Sequence, residues 1–233
     1  MSDAAKAALD EAWHGPVADA IDDRPVLRSV DAYRGHKWDI RVDTVDFGAT
    51  VAERDLLLHP GAVGVVAIDG ADRVLLIRQY RHPVGMSLFE PPAGLLDVAG
   101  EAAHATAVRE LVEEAGYAAG RWHTLIDFLN SPGGSSEAIR VFLARDLVPA
   151  AGGREQTGEA EEAHLPRVWV DLDHARDLVL SGAIGNALSV IGILAAWAAR
   201  ARGWADLRPA DAPWPARDHL VRNGRISRRG GLG

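Results

Sequence analysis

The stretch GEAAHATAVRELVEEAG, residues 100–116, gathers Glu110, Glu113 and Glu114 within five positions, next to Arg109 and downstream of Glu101. On a helical wheel of about 100° per residue, Val108, Leu111, Val112 and Ala115 share one face and the three glutamates fall opposite. Like charges three and four positions apart cost roughly a few tenths of a kcal/mol per pair in an isolated helix. Two readings follow. Arg109 and salt can neutralise a solvated acidic face, and periodicity alone favours that reading. Alternatively, the carboxylates converge on a hard divalent cation, most suitably Mg²⁺, which takes one or two protein carboxylates and leaves its other positions to water and phosphate.

Composition narrows the chemistry. The 233-residue chain has no cysteine, so thiolate nucleophiles, Cys-type zinc sites and disulfides are excluded. Any metal must be held by oxygen or imidazole. The nine histidines form no His-x-x-x-His pair, and His82, His104 and His123 read as packing or surface residues. A net charge of −8 argues against a nucleic-acid backbone binder. The basic segment RDHLVRNGRISRRGG lacks the interleaved aromatics of a nucleic-acid surface. The acidic N-terminus has no apolar signal core, and the apolar run Ala187–Ala199 is too short to span a bilayer. A cytoplasmic protein without a membrane partner is expected.

The elements that must position these acids follow from pattern. Residues 1–24 form an N-terminal arm. In residues 25–59, VLRSVDAYRG, KWDIRVDTVDFG and TVAERDLLLHPG alternate apolar and polar positions between glycines, predicting a small antiparallel sheet. AVGVVAIDGADRVLLIRQYRH predicts a hairpin turning at Asp69-Gly70-Ala71-Asp72. A helix over 103–115 follows, then strands at RWHTLIDFLN and AIRVFLAR, an acidic loop, a strand at RVWVDL and helices near 173–181 and 185–201. Residues 60–203 thus form the main domain, and the Pro- and Arg-rich tail 204–233 shows no sustained period and is expected to be partly disordered. Mixed strands and helices imply an α+β or layered α/β/α fold.

Residues 94–117, GLLDVAGEAAHATAVRELVEEAGY, resemble the Nudix box: Gly, five residues, Glu, seven residues, Arg-Glu, an aliphatic, any residue, Glu-Glu, any residue, Gly and an aliphatic. Glu101, Arg109, Glu110, Leu111, Glu113, Glu114 and Gly116 are in register. Six residues rather than five separate Gly94 from Glu101, and Tyr117 replaces the aliphatic residue. The resemblance implies a Nudix α/β/α sandwich with a small N-terminal antiparallel sheet domain. It also implies that Glu110, Glu114 and the Ala93 carbonyl bind Mg²⁺, for which Mn²⁺ substitutes. Glu113 then adds a ligand or a water contact, while Glu101 and Arg109 support the site from its edge.

Three features outside the box resemble the ADP-ribose pyrophosphatase branch. RQYRHPVGMSLFEPPAG matches the segment before its box, implying that Arg81 contacts the diphosphate and that Glu90 is the acid ahead of the Pro-Ala-Gly turn. Pro132 lies sixteen residues after Gly116, and Glu137 matches the acid beyond it. In GREQTGEAEEAH, the branch's catalytic base aligns with Glu162, with Glu161 and Glu159 as alternatives. The branch exchanges its N-terminal sheet between two subunits, implying a homodimer. Trp38 and Tyr33 are then candidates to stack on adenine, although strand packing explains such aromatics more often. The implied activity is Mg²⁺-dependent cleavage of ADP-ribose to AMP and ribose 5-phosphate. Another ADP-sugar or nucleoside diphosphate sugar is the alternative substrate, and a non-catalytic ADP-ribose-sensing module is the alternative class.

Overall fold

Three alternating apolar–polar segments punctuated by glycine form the first sheet. In the computed structural model, which describes residues 13, 15–35, 38–153 and 165–227, β1 (Val26–Arg34), β2 (Asp39–Asp46) and β3 (Val51–Leu58) pair antiparallel in that order. β2 and β3 run in unbroken register from Asp39 opposite Leu58 to Asp46 opposite Val51. Every residue of β1 is exposed, including Val26, Leu27, Val30 and Tyr33. Residues 1–12 and 14 of the expected arm lie outside the described residues.

The main domain is built on β4 (Ala62–Ala67), all six residues of which are buried. β9 (Ala138–Pro149) pairs parallel on one edge and β7 (Ala93–Leu95) antiparallel on the other. The sheet continues through β8 (Tyr117–Leu129) to the two-residue β11 (Arg208–Pro209), in the order β11-β8-β9-β4-β7. A second sheet has the order β10 (Arg167–Asp171), β5 (Arg73–Arg81), β6 (Met86–Glu90). The expected hairpin is therefore corrected. Asp69 accepts hydrogen bonds from the Ala71 and Arg73 amides, so the turn forms, yet only Ile68 and Val74 bridge across it. Both edges of β4 are taken by β9 and β7, and both edges of β5 by β10 and β6, so the two strands diverge into different sheets.

Helices cover both faces of the large sheet, as the layered reading expected. On one face Ala107, Leu111, Ala115 and Trp214 pack with Val63, Val65 and Phe142. On the other, Leu172, Ala175 and Val179 of α2 (Leu172–Leu180) and Ile193 and Ala196 of α3 (Ala187–Ala201) pack with Val66, Ile68 and Val141. Asp171 caps α2 by accepting from the Asp173 and His174 amides, and Asn186 caps α3 by accepting from Ser189. α3 approaches β4 closely because Gly64 has no side chain: a Cβ there would lie 2.6 Å from Leu188 Cδ1.

The acidic helix departs from the regular wheel. α1 spans Ala103–Glu110, and Leu111–Ala115 then form a π-helical turn closed by Gly116 at φ 72°. The faces differ from those expected: Val108, expected inside, is 37% exposed, whereas Glu114, expected outside, is 5% exposed, because the buried stripe runs through Ala107, Leu111, Glu114 and Ala115 at spacings of three and four. In the tail, expected to be partly disordered, the described residues 204–227 carry structure and residues 228–233 lie outside the described ones. β11 pairs with β8 at His123 and Thr124, Trp214 is buried, and α4 (Pro215–Arg222) follows. Arg140, itself 3% exposed, anchors this segment by donating to the Ala212 and Pro213 carbonyls while forking onto Asp127. Among the described residues no helix is long and apolar enough to cross a membrane.

Candidate active site

The π turn and the short strand β7 meet in a seam of oxygen donors. Glu114 reaches back across it, and its Oε2 accepts the Ala93 N–H at 2.8 Å. Glu110 lies against Gly94 so closely that a Cβ on that residue would stand 2.0 Å from Oε1. The absence of a side chain at Gly94 is therefore what lets the Glu110 carboxylate occupy this position, with no demand on the backbone conformation of Gly94.

Arg109 organises the remaining acids. Its Nη1 donates to Glu110 Oε1 at 2.8 Å and to Glu113 Oε2 at 3.0 Å, and its Nε and Nη2 donate to Glu101 at 3.2 and 3.1 Å. Glu101 also accepts the Thr106 hydroxyl at 2.9 Å. The hydrogen bond from Arg109 outweighs the effect of burial and holds the Glu101 carboxyl below its ordinary value, while the three carboxylates raise the Arg109 guanidinium. The repulsion noted in the sequence is thus offset by one fixed internal cation.

Among the described residues no three His, Asp or Glu side chains form a ready-made cation cage. The donor chemistry of the seam nevertheless fits a hard cation. Glu110 and Glu114 are mostly buried carboxylates held against the backbone at Ala93 and Gly94, where a carbonyl oxygen would add a second type of oxygen donor. The extra residue ahead of Glu101 falls in the 96–101 segment and leaves the register of Glu101 with Arg109 intact.

Arg81 and Glu90 are brought together. On the neighbouring strands β5 and β6, where Arg81 pairs with Met86 and Glu90 with Ile77, the two side chains reach along the ladder to form a forked ion pair at 3.0 and 2.6 Å, with Glu90 1% exposed and the Arg81 side chain 42% exposed. Glu90 therefore acts from beneath Arg81, three residues before Ala93 on the same chain segment. Pro91 has no N–H to give, and the next ladder bond passes instead from the Val65 N–H to the Pro92 carbonyl.

Glu137 belongs to a second cluster, which also contains Trp38. Its Oε2 accepts Asn130 Nδ2 at 2.7 Å, and its Oε1 lies 3.3 Å from His59 Nε2. Burial pushes the Glu137 carboxyl up and the His59 imidazole down to about 4. The Trp38 indole stacks on His59, with ring centroids 4.4 Å apart and planes 18° from parallel. Tyr33 is on the other side of the Gly35 turn, 63% exposed, and does not join this stack. Pro132 is exposed in the Ser131–Gly134 turn, whose Gly134 carbonyl accepts the Leu57 N–H. Sequence reasoning missed His59 and Asn130, because an isolated histidine before Pro60 carries no spacing signal. Glu159, Glu161 and Glu162 lie outside the described residues.

His104 packs against Trp122 and Phe142, and burial lowers its pKa, in keeping with a packing role. His82 contacts the Tyr80 hydroxyl at 3.5 Å.

Comparison with known proteins agrees with this geometry. The model of the NUDIX domain matches residues 58–187. An ADP-ribose pyrophosphatase of Mycobacterium tuberculosis is 39% identical over 193 residues, covering 82% of this chain and 91% of that protein. A methanol dehydrogenase activator of Bacillus methanolicus is 31% identical, covering 72% of this chain and 89% of its own length. In structure, a crystallised ADP compounds hydrolase superposes with a TM-score of 0.65 at 21% identity, covering 90% of this chain and 100% of that one, a likeness of fold.

Proposed function

The chain belongs to the Nudix family, and on that premise we propose that it is a Mg²⁺-dependent hydrolase of ADP-ribose, releasing AMP and ribose 5-phosphate. The observation that carries this reading is the seam at Ala93 and Gly94, where Glu110 and Glu114 are pinned to backbone while Arg109 ties Glu110, Glu113 and Glu101 together. The name of the mycobacterial relative supports ADP-ribose as the substrate.

Glu110, Glu114 and the Ala93 carbonyl would hold the cation, with Glu113 adding a ligand or a water contact; Mn²⁺ is expected to substitute. When bound, the cation neutralises diphosphate charge and makes a coordinated water more acidic. The protein's own groups do the rest. Arg109 holds Glu101 and Glu113 in place, so little reorganisation is needed when substrate arrives. Arg81, steered by Glu90, offers its exposed guanidinium edge to the diphosphate. Glu162, with Glu161 and Glu159 as alternatives in the same loop, accepts the proton of the attacking water. Trp38 provides the aromatic face for adenine, and Glu137 accepts hydrogen bonds from sugar hydroxyls. Tyr33 and Pro132 shape the approach.

A sensing module without catalysis has no need of a complete carboxylate set, and this chain retains every acid of the box. The exposed apolar residues Leu27, Val30 and Tyr33 on β1 support a homodimer formed through the N-terminal sheet, with a light-scattering mass near two chains as its test.

The deciding experiment is turnover of a nucleotide-sugar panel with Mg²⁺, with Mn²⁺ and with chelator, the products being identified by mass. AMP and ribose 5-phosphate from ADP-ribose, dependent on metal, are expected. Preferential cleavage of another nucleoside diphosphate sugar would replace the substrate, and no hydrolysis of any member would end the enzymatic reading.

A further inference from the structure

Trp38 and Glu137 are ninety-nine positions apart, one just before β2 and the other just before β9, yet both touch the same imidazole. The side chain of His59 is 6% exposed, and its ring has one tautomer available to it. Its Nδ1 accepts the Gly61 N–H at 3.0 Å, so the neutral ring carries its proton on Nε2, the atom facing Glu137 Oε1. Asn130 occupies the other carboxylate oxygen. Glu137 is thereby fixed from two sides and keeps an exposed remainder of 19% of its side chain.

We propose that His59 is a positioning residue: its imidazole aligns the Trp38 face and the Glu137 carboxylate as one unit, setting the distance between the two ends of the substrate pocket. This rests on the reading of Trp38 and Glu137 as substrate contacts.

The backbone shows why this role belongs to the side chain. The end of β3 is already joined to the 131–137 loop without the imidazole. The Leu57 N–H donates to the Gly134 carbonyl at 2.8 Å, the Ser136 N–H to the Leu57 carbonyl at 3.1 Å and the His59 N–H to Ser136 Oγ at 3.0 Å. Docking of the two segments therefore survives replacement of the ring. Besides the local bond that it accepts from the Gly61 N–H, what the ring adds is the angle of the indole and the orientation of the carboxylate, two properties that matter to a bound ligand and little to the docking itself. A hydrogen bond to a charged group is worth about 1.5–3 kcal/mol, equivalent to roughly 10- to 100-fold in affinity.

Two variants separate the two contacts. His59→Phe keeps a ring against Trp38 and removes the donor to Glu137 together with the acceptor of the Gly61 N–H, a loss that a thermal melt reads separately from KM. His59→Gln keeps a donor and removes the ring. His59→Phe is expected to raise KM for ADP-ribose at least about 10-fold with kcat within about threefold, and His59→Gln to recover part of that loss. An unchanged KM in His59→Phe, or a fall in kcat at constant KM, overturns the proposal while leaving the substrate assignment intact.

A readout independent of turnover is the ¹⁵N spectrum of the His59 ring in the full chain. A proton on Nε2 is expected, with resonances that move in both Glu137→Gln and Trp38→Leu. A proton on Nδ1, or resonances indifferent to both substitutions, overturns the proposal whatever the substrate. Failure of the wild-type enzyme to cleave ADP-ribose would instead reject the functional reading.

Discussion

Replacing Gly94 by alanine tests the metal seam without touching a carboxylate. A Cβ at this position would stand 2.0, 2.2 and 2.5 Å from Oε1, Cδ and Cγ of Glu110. An ordinary contact needs about 3.4 Å, so the carboxylate must retreat by roughly 1 Å or more, a displacement that can cost about 100-fold in rate at a reacting centre. Stability should hardly change. The colliding atoms belong to the end of a flexible side chain, whose adjustment costs about 0.5–1.5 kcal/mol. Gly94 is absent from the glycines with positive φ, so alanine fits its backbone. The stiffer unfolded chain returns about 0.4–1 kcal/mol. The assay pairs kcat for ADP-ribose at saturating Mg²⁺ with a thermal melt. A near-native Tm with activity down about 100-fold is expected. Wild-type turnover in Gly94→Ala would refute the requirement for Glu110 at the seam, and a collapse of Tm would refute the premise that Glu110 can swing aside.

Three further outcomes follow from the same geometry. Glu114→Gln retains an oxygen for the Ala93 N–H, so it should fold normally while turnover falls by more than the roughly 10- to 100-fold typical of an outer-shell partner; steady-state kinetics and circular dichroism check both halves. Arg140→Ala leaves Asp127 with Arg208 alone and strips two carbonyls of their donor, which should remove about 3 kcal/mol in urea unfolding; a loss under 1 kcal/mol would show that the tail is held by Trp214 burial instead. Glu101 has a folded pKa below its ordinary 4.5, so the stability it contributes is complete above that value and is lost as pH falls through the lowered one. Unfolding curves collected downward from pH 7 should show this acid loss in the wild type and a shallower one in Glu101→Gln.

Much of this arrangement was legible in the residues, because box spacing and strand alternation are local signals. The N-terminal sheet and most of the order of strands and helices follow from such spacing, β6 and β7 excepted, while the place of Glu101 and Arg109 at the edge of the site came with the family resemblance. The face of Glu114 did not follow, since the buried stripe is set by the small Ala107, which hydrophobic pattern underweights, and Glu114 lies seven positions, about two turns, beyond it. The hairpin at Asp69–Asp72 was readable as a turn but not as a fork between sheets, because edge occupancy is decided by β7, β9, β10 and β6 far along the chain. β11 and α4 are too short for periodicity to register, and Arg140 gives no hint in sequence that its acceptors lie some seventy residues later. His59 escaped for the same reason: its partners are Trp38 and Glu137, neither of them near it in the chain.

The parallel pairing of β4 with β9 bears on how the molecule assembles. Ala62 meets Ile139 across a chain separation of roughly 77 residues, a non-local contact of the kind that slows folding. Until β9 arrives, β4 has a bare edge, and its unbroken apolar sequence AVGVVA lacks the charges or prolines that discourage self-association. Refolding yield should therefore fall with rising protein concentration and improve on cooling or with a holdase. Substitutions that weaken the β4–β9 ladder would then show themselves first as insoluble expression, before any change in the properties of the native enzyme.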